Sequence, residues 1–393
     1  MLFEESDLLK LLPEQFFAGL VSKVNAKVAE GADVINLGQG NPDQPTYDHI
    51  VEALCTSAHN PASHKYSQFR SNRPFKEAAT SFYKKHYGVD LDAEREICVT
   101  GGAKIGLVEL PLALMNPGDL LLLPDPGYPD YLSGVSLGRV TYETFPLTAE
   151  NDFLPDLEAI PEETARRAKF IYINYPNNPT GAVATKAFYE KLVVWAKTYE
   201  VGVVSDLAYG ALGYQGYENP SFLSVPGAKD VGIEFYTFSK TFNMAGWRLA
   251  FATGNDQMIE ALNLIQDHLF VGIFPALQEA GIAALLDPKS EEAVVQLNEV
   301  YDSRRDAFTQ AAAKIGWQAF PSKGSFYAWM PVPEDYTSES FADLLLEKTH
   351  VAVAPGKGFG LAGDGYVRIG LLVEPERLVE AVNRIADLHL FDN

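Results

Sequence analysis

The sequence predicts an α/β fold in which a mostly parallel mixed sheet is covered by helices and followed by a smaller α+β domain. Three observations carry this. Short apolar, β-type runs alternate with helical patterns from about residue 46 to 285, the pattern of strands joined by crossover helices. A long charged helical stretch, EEAVVQLNEVYDSRRDAFTQAAAKIG, then gives way to alternating strands such as SFYAWMPV and GYVRIGLLV. Finally, 393 residues of which 47% are apolar exceed what a single core usually accommodates.

The elements follow in order. The opening MLFEESDLLKLLPEQFF is acidic and amphipathic, without the basic start and small-residue cleavage site of a secretory signal, so a cytoplasmic protein is expected. ADVINLGQGNPDQP is a short strand dissolving into Gly, Asn and Pro, and it joins an arm over 1–45 to the main domain over 46–285. Within that domain come EICVT, KIGLVELPLALM, DLLLLPDPG, KFIYINYP, the helix FYEKLVVWAKTYE, and VGVVSDLAYG. Their ends read TGG, DPGYP, NYPNNPTG, DLAYG and TFSKTF, and ligands of open α/β sheets sit at such carboxyl ends. The smaller domain takes 286–393. No repeat, low-complexity tract or flexible linker interrupts the chain.

A formal charge of −21 opposes nucleic acid and anionic membranes, which need clustered Lys or Arg. Small molecules are the expected partners, and an anionic ligand must be held by a local group of donors. Cys55 and Cys98 are the only cysteines, too few for a disulfide framework. Scattered histidines and the absence of paired-Cys or HExxH spacing predict no metal site.

The chemistry-bearing candidates cluster at the strand ends. Lys240 follows the β-type run EFYTFS; a desolvated amine there loses proton affinity and suits a Schiff base with a carbonyl cofactor. Thr237 and Arg248 flank it and could converge on a phosphate. VTGGAKIGL turns from strand to helix through glycines, so the backbone N–H groups of Ala103 and Lys104 could approach that phosphate. Asp206 ends an apolar strand, a costly place for a carboxylate unless a cation or donor meets it. Tyr209 and Asn178 could donate nearby, and Tyr128, between Gly127 and Pro129, offers a face for a flat ring. Arg368 lies inside an apolar strand, where its planar fork fits a carboxylate. Taken singly, each also has an ordinary structural reading as a cap, ion pair, turn residue or packed loop side chain.

Together these motifs resemble the class I/II aminotransferases, fold-type-I pyridoxal-phosphate enzymes, over nearly the whole chain from INLGQGNPD to GYVRIG. The resemblance implies pyridoxal 5′-phosphate as cofactor and amino acids and 2-oxo acids as substrates. It makes Lys240 the covalent anchor, Asp206 the partner of the ring nitrogen, Asn178 and Tyr209 the neighbours of the ring hydroxyl oxygen, and Tyr128 the stacking residue. Ala103, Lys104, Thr237 and Arg248 become the phosphate cup, and Arg368 with Gly40 the α-carboxylate site. It also implies a homodimer in which Tyr66, in HKYSQFRSNRPFKEA, reaches the neighbouring subunit's phosphate. That segment departs from the family pattern, with Ser71 and Lys76 where Gly and Arg are usual.

The stretches LPEQFFAGLVSKVN, NPGDLLLLPDPGYPDYLSGV and SKTFNMAGWR further resemble methionine-salvage aminotransferases of low-GC bacteria. Phe16, Phe17 and the segment around Phe270 are then candidates for a thioether- or aromatic-binding pocket. A dicarboxylate pocket would need another cation, for which Arg70, Arg73 and Lys104 are the candidates. Rival readings are an aspartate or broad-specificity aminotransferase, a C–S lyase of the same cofactor class, and a DNA-binding regulator, which lacks any basic extension here. A hydrolase pattern at Gly134, Ser136 and Gly138 lies in a helical context rather than at a strand-to-helix elbow.

Overall fold

The computed structural model describes residues 3–391. Its strands are β1 (Ile35–Asn36), β2 (Ile97–Thr100), β3 (Leu120–Asp125), β4 (Thr141–Pro146), β5 (Ala168–Asn174) and β6 (Gly202–Asp206), then β7 (Gly232–Thr237), β8 (Ala250–Gly254), β9 (Tyr327–Pro331), β10 (Val351–Ala352), β11 (Ala354–Pro355) and β12 (Tyr366–Gly370). The main sheet has the order β2-β8-β7-β6-β5-β3-β4. It is parallel from β7 through β4, and β8 runs antiparallel to both of its neighbours.

Apolar runs build this sheet because both of its faces are covered. Along β3, Leu120 and Leu122 join one buried cluster and Leu121 and Leu123 another, the two-residue alternation of a pleated strand. The first cluster includes Phe75 and Phe82 from the helix Arg73–Tyr87 and Leu192 from the helix Lys186–Tyr199. The second includes Leu107 and Leu110 from the helix Ala103–Leu114 and Ile259 and Leu262 from the helix Asp256–Leu269. Polar strand ends consequently meet at one edge of a sandwiched sheet.

Beyond the main sheet, β9, β12 and β11 form a small antiparallel sheet, and β1 pairs in parallel with β10. Val367 and Ile369 enter a third buried cluster, which places Arg368 on the opposite face of β12. The helix Pro288–Lys314, with Asp287 as N-cap, has 27 residues and so spans about 40 Å. The arm helix Phe16–Ala29 packs Leu20 and Val24 against Leu346 and Ala352. Among the described residues no helix is long and apolar enough to cross a membrane, and both cysteines are free thiols.

Candidate active site

The ends of β2, β5, β6 and β7 open into a cavity of about 310 Å³. At its floor β7 stops at Thr237, whose hydroxyl accepts from Ser239 N at 3.2 Å and caps the one-turn helix Phe238–Thr241. Lys240 on that turn lines the cavity and donates to Gly40 O at 2.8 Å. Burial, then the positive charges of Arg368 and Arg248, lower its pKa to about 7 against an opposing pull from Asp206. An amine with this affinity is substantially neutral at physiological pH.

Asp206, the last residue of β6, accepts from the Tyr131 hydroxyl at 2.8 Å through one oxygen, while its other oxygen is buried without a partner. Burial raises its pKa to about 6, countered by that hydrogen bond and by Lys240. On the neighbouring strand Asn174 donates to Asp206 O at 2.7 Å and accepts from Asn178 N at 2.8 Å, stapling the NYPNNPTG loop to the β6 end. Tyr209 pairs with Tyr327 hydroxyl to hydroxyl at 3.2 Å, and burial holds its phenol well above the usual range. Tyr128 lines the wall and meets Tyr131 edge-on at 5.5 Å.

Gly102 has a φ of +100° and precedes the helix that begins at Ala103; a Cβ on it would strike the Arg248 guanidinium. Arg248 itself donates to Ala245 O at 2.8 Å. Thr237, Ala103, Lys104 and Arg248 thus line one end of the cavity around a helix N-terminus, an arrangement suited to a phosphate. The Lys104 amine is committed to Asp130 at 2.8 Å, which leaves its backbone N–H for that task.

Arg368 is 1% exposed and, among the described residues, has no carboxylate partner. It donates to Asn178 Oδ1 and Gly38 O, both at 2.9 Å, its Nε is unpaired, and the rings of Tyr327, Phe359 and Phe17 stand 4.2, 4.7 and 5.3 Å from its guanidinium carbon. The structural ion pair open to it on sequence grounds is absent among the described residues. Gly40 is hemmed in, since a Cβ there would strike the Tyr327 hydroxyl.

Tyr66 is 90% exposed and outside this chain's own cavity, as a residue directed at a neighbouring subunit would be. Other expectations need correction within this chain. Phe17 lines it, but Phe16 packs on Phe359 and Gly358, and Phe270 is 47% exposed beside a separate small cleft. Arg70 is held by Glu260 and Asp267, and Arg73 by Glu77, so neither is a spare cation. Ser71 has a φ of +69°, which accounts for glycine being usual there, and Lys76 is buried. Gly134, Ser136 and Gly138 lie inside the helix Tyr131–Gly138, in no nucleophile turn. Conversely, Tyr131 and Tyr327 belong to the site although no local motif marks them, and Asn174, the first residue of NYPNNPTG, is a further member not singled out on sequence grounds.

The chain is similar to known proteins over nearly its whole length. The profile of the family described as "Aminotransferase class I and II" matches residues 32–385. The chain is 57% identical to the L-glutamine–4-(methylsulfanyl)-2-oxobutanoate aminotransferase of Bacillus subtilis, covering 100% of this chain and 98% of that protein. It is 47% identical to an LL-diaminopimelate aminotransferase of Aquifex aeolicus, covering 99% and 100%. Among solved structures, apo-BacF from Bacillus subtilis superposes with a TM-score of 0.95 at 47% identity, covering 100% of this chain and 99% of that one. With the strand-end lysine, aspartate and arginines in one cavity and matches along its whole length, this chain belongs to the class I and II aminotransferases.

Proposed function

We propose that this pyridoxal-phosphate-dependent aminotransferase acts on 2-oxo acids with an uncharged thioether or aromatic side chain, 4-(methylsulfanyl)-2-oxobutanoate foremost, with glutamine or glutamate as donor. The observation that carries this is the lack of a spare cation: the cavity is lined by Lys104, Lys240, Arg248 and Arg368, Lys104 is paired to Asp130, and the other three are assigned below. Phe17 and Tyr327 supply apolar wall instead. The substrate named for the Bacillus subtilis relative supports the same choice.

The residues present fit the cofactor. The unpaired buried oxygen of Asp206 matches a ring N–H, and Gly102 leaves room for Arg248 at the helix start where a phosphate would lie. When bound, the cofactor supplies a carbonyl that takes up the amino group and a ring that acts as an electron sink. Asp206 would keep the ring nitrogen protonated, Asn178 and Tyr209 would border its hydroxyl oxygen, and Tyr128 would cover its face. Ala103, Lys104, Thr237 and Arg248 would hold the phosphate. Arg368, with Gly40 beside it, would bind the substrate α-carboxylate bidentately. Lys240 Nζ would anchor the cofactor and would take the proton from the substrate α-carbon, for which its lowered proton affinity suits it near neutral pH.

The reading includes a homodimer in which Tyr66 reaches the partner's phosphate site. The exposure of Tyr66, Phe69, Phe270, Val271 and Phe274 supports it. For the division into an arm with part of the small domain (1–45), a large domain (46–285) and a small one (286–393), the packing of Ile35 and Leu37 in one cluster with Leu345, Val351 and Leu378 supports the assignment of part of 1–45 to the small domain.

Steady-state kinetics across a panel of 2-oxo acids test the substrate. Methionine-like or aromatic acids should exceed oxaloacetate in kcat/KM by roughly tenfold, about 1.4 kcal/mol of transition-state discrimination; the reverse preference would refute the pocket assignment. Lys240→Ala should lower turnover by ~10²–10⁴-fold, and near-normal rates in that variant would remove Lys240 from the mechanism.

A further inference from the structure

Arg304 is fully buried on the long helix Pro288–Lys314 and outside the cavity just described. Its Nη1 and Nη2 donate to Asp43 Oδ1 and Oδ2, each at 2.8 Å. Nη2 also reaches Glu374 Oε1 at 3.1 Å, and Nη1 reaches Leu371 O at 3.4 Å. Asp43 lies three residues after Gly40, and Leu371 lies three residues after Arg368. One guanidinium therefore grips both segments that carry the carboxylate-binding groups.

The same two segments touch directly at two other points. Gly370 N donates to Leu37 O at 2.6 Å, and a Cβ at Gly370 would strike Gln39 O. Arg368 Nη2 donates to Gly38 O at 2.9 Å. These contacts fix the near side of the loop; the Arg304 fork fixes its far side at Asp43. A buried ion pair is weak evidence for stability, since desolvation offsets much of the attraction, and registry is its better-attested use. The unpaired Nε of Arg304 adds to that cost. Only a planar, permanently charged fork can hold a carboxylate bidentately and a second segment together.

We propose that Arg304 is a positioning residue for the substrate carboxylate: through Asp43 and the Leu371–Glu374 turn it sets the spacing between the Gly40 loop and Arg368. The inference rests on the reading of Arg368 as the carboxylate clamp. Displacing the loop by about one ångström or less loosens the clamp while leaving Asp206 and the phosphate end in place.

The test uses holoenzyme carrying Arg304→Lys or Asp43→Asn; Asp43 is on a partly exposed loop, so its variant is expected to fold even if the helix variant does not. Each should raise KM for both amino acid and 2-oxo acid by roughly tenfold or more with kcat within about threefold. The cofactor absorbance maximum should not move. The single-turnover reaction with 3-(methylsulfanyl)propylamine, which has no carboxylate, should be unchanged. Unaltered KM, or an equal loss on the carboxylate-free amine, overturns the proposal. Arg368→Lys separates the two levels: if it raises KM while the Arg304 and Asp43 variants do not, only the positioning role fails; if it does not, the clamp assignment fails and this inference with it.

Discussion

Two buried carboxylates on neighbouring strands have opposite surroundings. Glu234 on β7 is fully buried and accepts from the Tyr83, Ser205 and Ser221 hydroxyls at 3.0, 2.9 and 2.5 Å and from Phe222 N at 2.9 Å. Asp206 at the end of β6 has one donor, Tyr131, and one oxygen with none. Burial raises both pKa values. Burial therefore does not distinguish them; saturation does. A carboxylate that serves the fold has its acceptors filled from within the chain, whereas one that serves a ligand is left a bond short.

The widest separation should come from removing each group. Asp206→Ala is expected to lower kcat by ~10²-fold or more, since a neutral ring is a poorer electron sink, while the melting temperature of the apoprotein stays within a few degrees. Turnover near normal would erase the distinction. Glu234→Gln should do the opposite, costing about 2–4 kcal/mol in denaturant unfolding because an amide N–H then faces hydroxyl and backbone donors, with activity per folded molecule within a few-fold.

A pH series sharpens the contrast. The folded pKa of Asp206, about 6, lies above its ordinary value of 3.8, so the folded apoprotein binds the extra proton between those limits. The stability this confers is present in full below pH 3.8 and is lost as pH rises through 6. Relative to Asp206→Asn, the wild-type apoprotein should thus lose about 2–3 kcal/mol between pH 4 and 6.5 and then level off. A flat difference would mean that the second oxygen finds a donor. The smallest effect is expected for Tyr131→Phe: losing the single donor should push Asp206 higher and lower turnover by roughly tenfold, read as a shift of the acidic limb of the kcat profile toward higher pH.

Much of this site was legible because its groups sit at strand ends, where Gly, Pro and Asn punctuate apolar runs. Lys240 and Asp206 follow such runs within a few residues, and Asn178 lies in the NYPNNPTG loop at the end of another, so local patterns place them at the mouth of the sheet. Tyr131 and Tyr327 carry no such mark: Tyr131 looks like the start of a helix and Tyr327 like one aromatic among several in SFYAWMPV. Only the packing of β6 beside the Tyr131 turn brings that hydroxyl to Asp206, and only the pairing of β9 with β12 brings Tyr327 to the cavity wall. Phe270 shows the converse limit, since the segment LFVGIF announces apolar character without saying which surface it faces. The Arg304–Asp43 fork joins residues 261 positions apart and is invisible to any local pattern.

The sunken guanidinium of the cavity has a kinetic consequence. Arg368 is buried in the cavity of a chain whose formal charge is −21, so an approaching anion meets repulsion first and attraction only near the mouth. Mobile ions screen the outer field at distances beyond about 8 Å at physiological ionic strength, while the enclosed charge is screened far less. Added salt should consequently speed, not slow, the encounter of a 2-oxo acid with the enzyme, the reverse of the usual behaviour for electrostatically guided association.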